Sequence, residues 1–161
     1  MNGMQTWQQN RIYSAINGTN PMVMARLSGG FAVMGDTQFL PGYAVLLPKR
    51  EVTSLNDLSL SERTEFLKDM SILGDAVLQA TGALRINDDI LGNTDQFLHA
   101  HVFPRYVSEP PERLGKPVWL YSLDHWSAPL YQYDPKKHGR LRAEIIRYLR
   151  DHLTGNDHMP N

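Results

Sequence analysis

A stretch in the middle of the chain predicts a long helix, and this helix constrains the fold most. Ser59 followed by Glu62 matches a capping box, in which the two side chains satisfy backbone N–H groups at a helix start. Gly82 lies at the other end, where glycine readily adopts the left-handed conformation that ends helices. Apolar residues recur between these ends at spacings of four and three, namely Phe66, Met70, Leu73, Val77 and Ala80. Such a helix buries its apolar stripe against another layer of structure.

Short β-prone runs on both sides of this helix predict the second layer. Three runs precede the helix and two follow it, at residues 22–27, 31–35, 43–47, 84–91 and 97–103. Gly29-Gly30 between the first two runs is typical of a hairpin turn, and Pro104 is expected to stop the last strand. The patterns together predict an α+β fold, in which an antiparallel five-stranded sheet packs against one long helix.

Both ends of the chain predict further helices. Residues 6–16 are expected to form a short helix capped by Thr6. After an irregular stretch rich in proline and aromatic residues, Asp134-Pro135 matches a helix start, and the final helix is expected to reach about Thr154-Gly155. The chain's 161 residues, 42% of them apolar, predict a single domain. We expect its core at about residues 22–106 and a C-terminal helical extension at 107–161.

Composition excludes several classes of protein. The chain contains no cysteine, which rules out disulfide scaffolds, thiolate metal sites and cysteine nucleophiles. Its formal net charge of −1 provides no basic field for a nucleic acid polymer or a membrane surface. No run approaches the roughly 18 apolar residues of a membrane span, and the first residues do not resemble an export signal. We therefore expect a cytoplasmic protein.

The strand predicted at residues 97–103 carries two histidines on one face. Side chains alternate along a strand, so His99 and His101 share a face with Phe97 and Phe103. The intervening Leu98, Ala100 and Val102 are all apolar and are expected to face the long helix. The two imidazoles then lie about 6.5 to 7 Å apart between Cα atoms on the opposite, ligand-accessible face.

Three interpretations of this pair remain open from the residues alone. The imidazoles are structural, with hydrogen bonds to neighbours only. Alternatively, they bind zinc, with a third ligand from Asp95, Asp124 or His125. In the last interpretation, one imidazole attacks an electrophile such as phosphorus while the second stabilises the developing charge.

Three blocks in the same order resemble the histidine triad (HIT) superfamily of nucleotide hydrolases and transferases. The blocks are FAVMGDTQFLPGYAVLLPKR, NDLSLSERTEFL and GNTDQFLHAHVFPRY, and the similarity spans residues 23–106. Bacterial members similar to diadenosine polyphosphate hydrolases are the most similar branch. The resemblance implies the HIT-like fold, a small-molecule nucleotide as substrate and a homodimer. It also implies no tightly bound cofactor and no metal ligand, with Mg²⁺ only accompanying a polyphosphate substrate.

The resemblance assigns roles to particular residues. It implies that His99 is the nucleophile and that His101 contacts the phosphate and assists the leaving group. The residues implied to bind substrate are Asn93, Thr94 and Asn87 at the phosphate, Asp36 and Phe31 at the nucleoside, and Arg105 after the strand. For Phe31, a core position is supported as well as a contact with the base. For Arg105, a structural ion pair is supported as well as a contact with phosphate. Trp119 and Trp126 lie outside the matched blocks and are interpreted as core residues, with stacking on a nucleobase as the alternative.

Two positions depart from the family pattern. Phe97 occupies the first histidine of the triad, and Tyr43 stands where relatives often carry histidine. The sequence therefore predicts hydrolysis or nucleotidyl transfer at a phosphoric anhydride or phosphoramidate. The alternatives are a nucleotide-binding module with little or no turnover, because of Phe97, and a metal-dependent enzyme.

Overall fold

An antiparallel five-stranded sheet forms the centre of the fold in the computed structural model, which describes residues 6–153. The strands are β1 (Val23–Arg26), β2 (Gly30–Met34), β3 (Ala44–Pro48), β4 (Arg85–Asp89) and β5 (Ala100–Arg105). Their order in the sheet is β1-β2-β3-β5-β4, and every neighbouring pair is antiparallel. The α+β prediction is confirmed.

Six helices accompany the sheet in the described part of the chain. They are α1 (Thr6–Gln9), α2 (Arg11–Ile16), α3 (Leu60–Thr81), α4 (Pro111–Leu114), α5 (Asp124–Ser127) and α6 (Pro135–Asp151). Short 3-10 turns lie at Leu55–Asp57, Val118–Leu120 and Pro129–Tyr131. None of the helices in residues 6–153 combines the length and apolar character needed to cross a membrane.

Helix α3 covers one face of the sheet, as predicted. Ser59 and Glu62 form the capping box, and Gly82 ends the helix with a φ of 64°. Phe66, Leu73 and Val77 of α3 are buried in the same core as Ala100 and Val102 of β5 and Leu46 of β3. The α3 face of the sheet is therefore apolar throughout its centre, and polar groups of β5 are left on the other face.

Helix α6 joins this same core. It packs against α3 and β1, and its residues Ile145 and Leu149 are fully buried. The end of the segment expected as an extension is thus part of the main packing. The predicted helix end at Thr154-Gly155 lies outside the described residues.

Two elements differ from the sequence-based expectation. The N-terminal helix is divided at Asn10, because the Asn10 side chain accepts a hydrogen bond from the N–H of Tyr13 (2.9 Å) and so starts α2. Strand β5 begins at Ala100 and continues through Pro104, which does not stop it. Beyond Val102, β5 pairs only with β4, and the carbonyl of Arg105 faces β4. The missing N–H of Pro104 therefore falls on the unpaired edge and costs no ladder hydrogen bond.

The start of α3 provides a first testable prediction. Replacing Ser59 by alanine removes the side chain that accepts from the N–H of Glu62, so we expect the free energy of unfolding to fall by about 1 kcal/mol. Urea denaturation measures this loss. Ser61→Ala is the matched control, because Ser61 is exposed within the first turn and has no capping role. Equal stabilities of the two variants would contradict the assignment of the cap.

Candidate active site

A cavity of about 250 Å³ opens on the sheet face opposite α3. Strands β2, β3 and β5 form its floor, the N-terminal helices contribute one side and the aromatic C-terminal segment contributes the other. Its lining residues are Arg11, Val33, Met34, Gly35, Asp36, Thr37, Tyr43, Val45, Leu47, Asp95, Phe97, His99, His101, Trp119 and Trp126. Both histidines of the predicted pair therefore meet in one cavity.

The alternation predicted around the histidines is present in the structure. Rings on the cavity face follow one another at centroid distances of 4.6 Å (Phe97 to His99), 4.7 Å (His99 to His101) and 5.6 Å (His101 to Phe103). The intervening Leu98, Ala100 and Val102 are buried in the core. His99 is itself only 7% exposed, and it lines this cavity as well as a second pocket beside Gly92.

A backbone hydrogen bond orients the ring of His99. Its Nδ1 lies 2.7 Å from the carbonyl oxygen of Phe97. A carbonyl oxygen only accepts, so Nδ1 carries a proton and donates it to this bond. In the neutral imidazole the lone pair then lies on Nε2, which is the arrangement of a competent nucleophile. The partner is a main-chain atom, and the Phe97 side chain is not needed for this orientation.

His101 is held by a side chain, the phenol of Tyr43, at 2.7 Å from its Nδ1. Burial, and secondarily the neighbouring His99, lower the pKa of His101 to about 3. Burial also raises the pKa of Tyr43 far above its usual value, and Asp36 raises it further. The phenol is therefore protonated, and Nδ1 is the acceptor that residues 6–153 provide for its proton. We assign Tyr43 as the donor on this ground, which places the proton of the neutral His101 ring on Nε2.

An ion pair lies at the other end of the cavity. Arg11 of α2 donates two hydrogen bonds to Asp36, at 3.0 Å and 2.6 Å, one to each carboxylate oxygen. Both side chains line the cavity and are partly exposed. The paired geometry fixes the Asp36 carboxylate beside the cavity and balances its charge.

Trp119 and Trp126 close the cavity beside His101. The Trp119 ring meets His101 edge-on at 4.8 Å and stacks on Trp126 at 4.9 Å. Its Nε1 donates to Asp89 at 2.9 Å, which fixes the orientation of the indole. The core interpretation fits Trp126, which packs against a buried apolar cluster that includes Phe103, whereas Trp119 is 37% exposed. The segment that carries them has no periodicity that indicates a facing partner.

Several residues that the resemblance assigns to substrate binding lie outside the cavity lining. Asn93 and Thr94 are exposed, and Asp95 of the same turn lines the cavity instead. Phe31 is 3% exposed and packs in the main core, whereas Val33 two residues later reaches the cavity. The core position, one of the two alternatives for Phe31, is thus the one observed.

Arg105 and Asn87 belong to a buried polar network outside the cavity. Arg105 is 2% exposed and forms an ion pair with Glu109 at 3.0 Å. It also donates to Asn87 Oδ1 (2.8 Å) and to the carbonyls of Lys116 (2.8 Å) and Arg113 (2.9 Å). These bonds occupy the guanidinium, which is the structural ion pair that the sequence also allowed for Arg105. The substrate contacts implied for Arg105 and Asn87 stay predictions.

The side chains present do not fit a metal centre. Within residues 6–153 no group of three His, Asp or Glu side chains is arranged to hold a metal ion. His125, a ligand candidate, instead pairs its Nδ1 with Ser122 and stacks on Tyr131. Among the described residues, the imidazole pair therefore has no third ligand of the kind that zinc sites require.

Fold and site together describe an α+β protein with paired imidazoles in a cavity on the open face of its sheet. No protein-family model and no curated protein sequence matches the chain. Solved structures do match. A histidine triad protein from Sinorhizobium meliloti is 22% identical, with a TM-score of 0.68 over 80% of this chain and 89% of that one.

Two further structures extend the comparison. A histidine triad protein from Marinobacter aquaeolei is 21% identical, with a TM-score of 0.65 over 81% of this chain and 88% of that one. The diadenosine triphosphate hydrolase of Plasmodium falciparum is 14% identical, with a TM-score of 0.55 over 83% of this chain and 79% of that one. The chain therefore has the histidine triad fold.

Proposed function

We propose that this chain is a nucleotide hydrolase or nucleotidyl transferase of the histidine triad type. It acts on a phosphoric anhydride, such as a dinucleoside polyphosphate, or on a phosphoramidate, and it forms a covalent nucleotidyl-histidine intermediate. The observation that carries this proposal is the hydrogen bond between Nδ1 of His99 and the Phe97 carbonyl, because it leaves the lone pair on Nε2 of a ring that lines the cavity.

The chemistry divides into two steps. In the first, the Nε2 lone pair of His99 forms a bond to the α-phosphorus while the bond to the leaving group breaks and its electron pair departs with that group. The phosphorylated ring is cationic, because Nδ1 keeps its proton, and the Phe97 carbonyl 2.7 Å away stabilises this charge. In the second step water attacks phosphorus, the N–P electron pair returns to Nε2, and the proton of the water leaves to solvent.

The replacement of the first triad histidine by Phe97 is compatible with this mechanism. The group that orients His99 is the Phe97 carbonyl, and any residue at that position supplies it. The Phe97 ring packs beside His99 at 4.6 Å and takes part in lining the cavity. We infer that this substitution removes a polar neighbour of the nucleophile and leaves its tautomer intact.

The size and charge of the cavity limit the substrate. A volume of about 250 Å³ lies just below the roughly 300 to 1,000 Å³ of drug-sized ligand pockets, which suits one nucleoside monophosphate unit better than two. The Asp36 carboxylate, fixed by Arg11, is the group proposed to accept from ribose hydroxyls. No tightly bound cofactor is proposed, and Mg²⁺ is expected only as a companion of a polyphosphate. The homodimer expected from the resemblance stays a prediction.

Turnover tests the proposal. The purified protein is incubated with diadenosine triphosphate, diadenosine tetraphosphate and adenosine phosphoramidate, and the products are separated by chromatography. We expect release of AMP from at least one of these substrates. Absence of AMP from all of them would contradict the proposed hydrolysis.

The second candidate is a nucleotide-binding module with little or no turnover. The observation that favours it concerns the side chains implied to bind phosphate: Asn93 and Thr94 are exposed outside the lining, and the Arg11 guanidinium beside the cavity is engaged by Asp36. Calorimetry with AMP discriminates the two functions. Binding of AMP without formation of any product from the substrates above would favour the module.

A further inference from the structure

The residue at the centre of this inference is Tyr43, which precedes β3 and is 7% exposed. Its ring stacks on Phe103 at 4.2 Å and lies so close to Gly35 that a Cβ added there would overlap the ring. Within residues 6–153 the structure gives its hydroxyl a single hydrogen-bond partner, Nδ1 of His101 at 2.7 Å. These contacts fix the phenol hydroxyl beside Nδ1 of His101, where it determines which ring nitrogen carries the proton.

Few other titratable groups surround His101 in the described residues. His99 lies just before β5, two residues before His101, and Trp119 covers His101 from the C-terminal segment. Val45 of β3 and Asp89 of β4 lie opposite His101 in the sheet. Asp89 accepts the indole N–H of Trp119, and in the described residues no ion pair includes His101. Asp36 and Asp95 are the carboxylates that line the same cavity.

This arrangement determines what His101 is able to give a leaving group. If its Nε2 proton were transferred, Nδ1 would have to take the phenol proton, and a phenolate would remain buried at Tyr43. Burial opposes that anion, and the carboxylates of Asp36, Asp95 and Asp89 add to the opposition. The Arg11 guanidinium offsets only part of it, so the pKa of Tyr43 is raised. Without the phenol proton, His101 would be left as an imidazolate, which is less stable still. When His101 donates a hydrogen bond and keeps its proton, neither a buried phenolate nor an imidazolate forms.

We propose that Tyr43 restricts His101 to donating a hydrogen bond from Nε2, so that the site cleaves leaving groups that depart as stable anions and discriminates against those that need a proton. This inference rests on the proposed function and narrows it to phosphoric anhydrides. In the favoured reaction His99 Nε2 bonds to phosphorus, the P–O bond breaks, and the leaving oxygen keeps the electron pair as a phosphate anion. Amine and alkoxide leaving groups receive no proton and remain attached.

A series of aryl esters of AMP tests the leaving-group rule directly. Nitrophenol departs as a stable anion, whereas unsubstituted phenol is a poorer leaving group and gains from a proton. We expect the wild type to cleave the nitrophenyl ester at least about 100-fold faster than the phenyl ester, since general acid catalysis contributes about 10²- to 10⁴-fold where it operates. Similar rates for both esters would overturn the rule.

Tyr43→His provides the converse test. Imidazole titrates near neutral pH and passes a proton to Nδ1 of His101 without leaving a buried anion. We expect this variant to reduce the ratio of the two rates by about tenfold or more. Tyr13→His is the matched control, because Tyr13 is 64% exposed on α2, and its ratio stays at the wild-type value. An unchanged ratio in Tyr43→His would also overturn the rule.

Nitrogen-15 NMR of the histidine rings tests the inference without turnover. Wild-type His101 is expected in the neutral Nε2–H tautomer between pH 5 and 8, and Tyr43→Phe is expected to lose this fixed tautomer. An Nδ1–H tautomer, or titration of His101 in this range, would overturn the inference whatever the activity. Absence of turnover for every substrate would overturn both the proposed function and the rule, whereas turnover with equal ester rates would overturn the rule alone.

Discussion

Replacing His99 by alanine is expected to reduce turnover at least about a thousandfold. The variant lacks the Nε2 lone pair that forms the bond to phosphorus, and no other residue lining the cavity offers an equivalent atom. His101 does not substitute for it, because its Nε2 carries the proton when Tyr43 donates to Nδ1. Product formation from the best substrate of the wild type, followed by chromatography, measures the loss.

Two controls separate chemistry from folding in this experiment. His152→Ala removes an exposed imidazole at the end of α6 that does not line the described cavity, and it should retain the wild-type rate. The His99→Ala variant should keep the wild-type circular dichroism spectrum. A His99→Ala protein that turns over substrate as fast as the wild type would show that the assigned nucleophile is wrong.

The second large effect concerns stability: replacing Arg105 by methionine is expected to lower the free energy of unfolding by about 3 to 5 kcal/mol. Glu109, whose side chain is 3% exposed, would remain as a buried charge without its partner. The carbonyls of Lys116 and Arg113 would also lose their donor. Chemical denaturation monitored by tryptophan fluorescence measures the change.

Matched variants test whether the buried charge causes this loss. Adding Glu109→Gln to Arg105→Met removes the unpaired charge and should recover part of the stability. Arg140→Met should have little effect, because the Arg140 side chain is 93% exposed in its ion pair with Glu144. A loss below about 1 kcal/mol in Arg105→Met would contradict the role of the network.

Acid should weaken the same network. Burial alone would raise the pKa of Glu109, but hydrogen bonds from Arg105, Tyr121 and the Tyr106 N–H, together with the charge of Arg105, hold that pKa below its usual 4.5. A carboxylate with a lowered folded-state pKa stabilises the fold fully above its unfolded-state pKa. This contribution is therefore complete above about pH 4.5 and is lost as the pH falls through the lower value of the folded state.

Local patterns predicted the framework of this fold well. The capping box at Ser59 and Glu62 and the glycine at position 82 act within one turn of the backbone, so their effect does not depend on distant contacts. The alternation from Phe97 to Phe103 likewise sets which side chains share a face, even though the strand itself starts three residues later. The position of the two imidazoles followed from this alternation alone.

Contacts between distant segments were not predictable in the same way. Arg11 and Asp36 are 25 residues apart, and Trp119 reaches Asp89 across 30 residues. Arg105 comes soon after the two histidines, as a phosphate-binding residue would. It is nevertheless buried in an ion pair with Glu109, which is only four residues later. The partners of these polar side chains depend on how the C-terminal segment folds back over the sheet. No periodic pattern in the sequence predicts the course of that segment.

The most direct test of the account is to trap the covalent intermediate. The wild type is mixed with diadenosine triphosphate, the reaction is stopped by rapid quenching at alkaline pH, and the protein is digested and analysed by mass spectrometry. The account predicts the added mass of one nucleoside monophosphate on the peptide that contains His99, and its absence from His99→Ala. Accumulation of product with no adduct, or an adduct on any other residue, would contradict it.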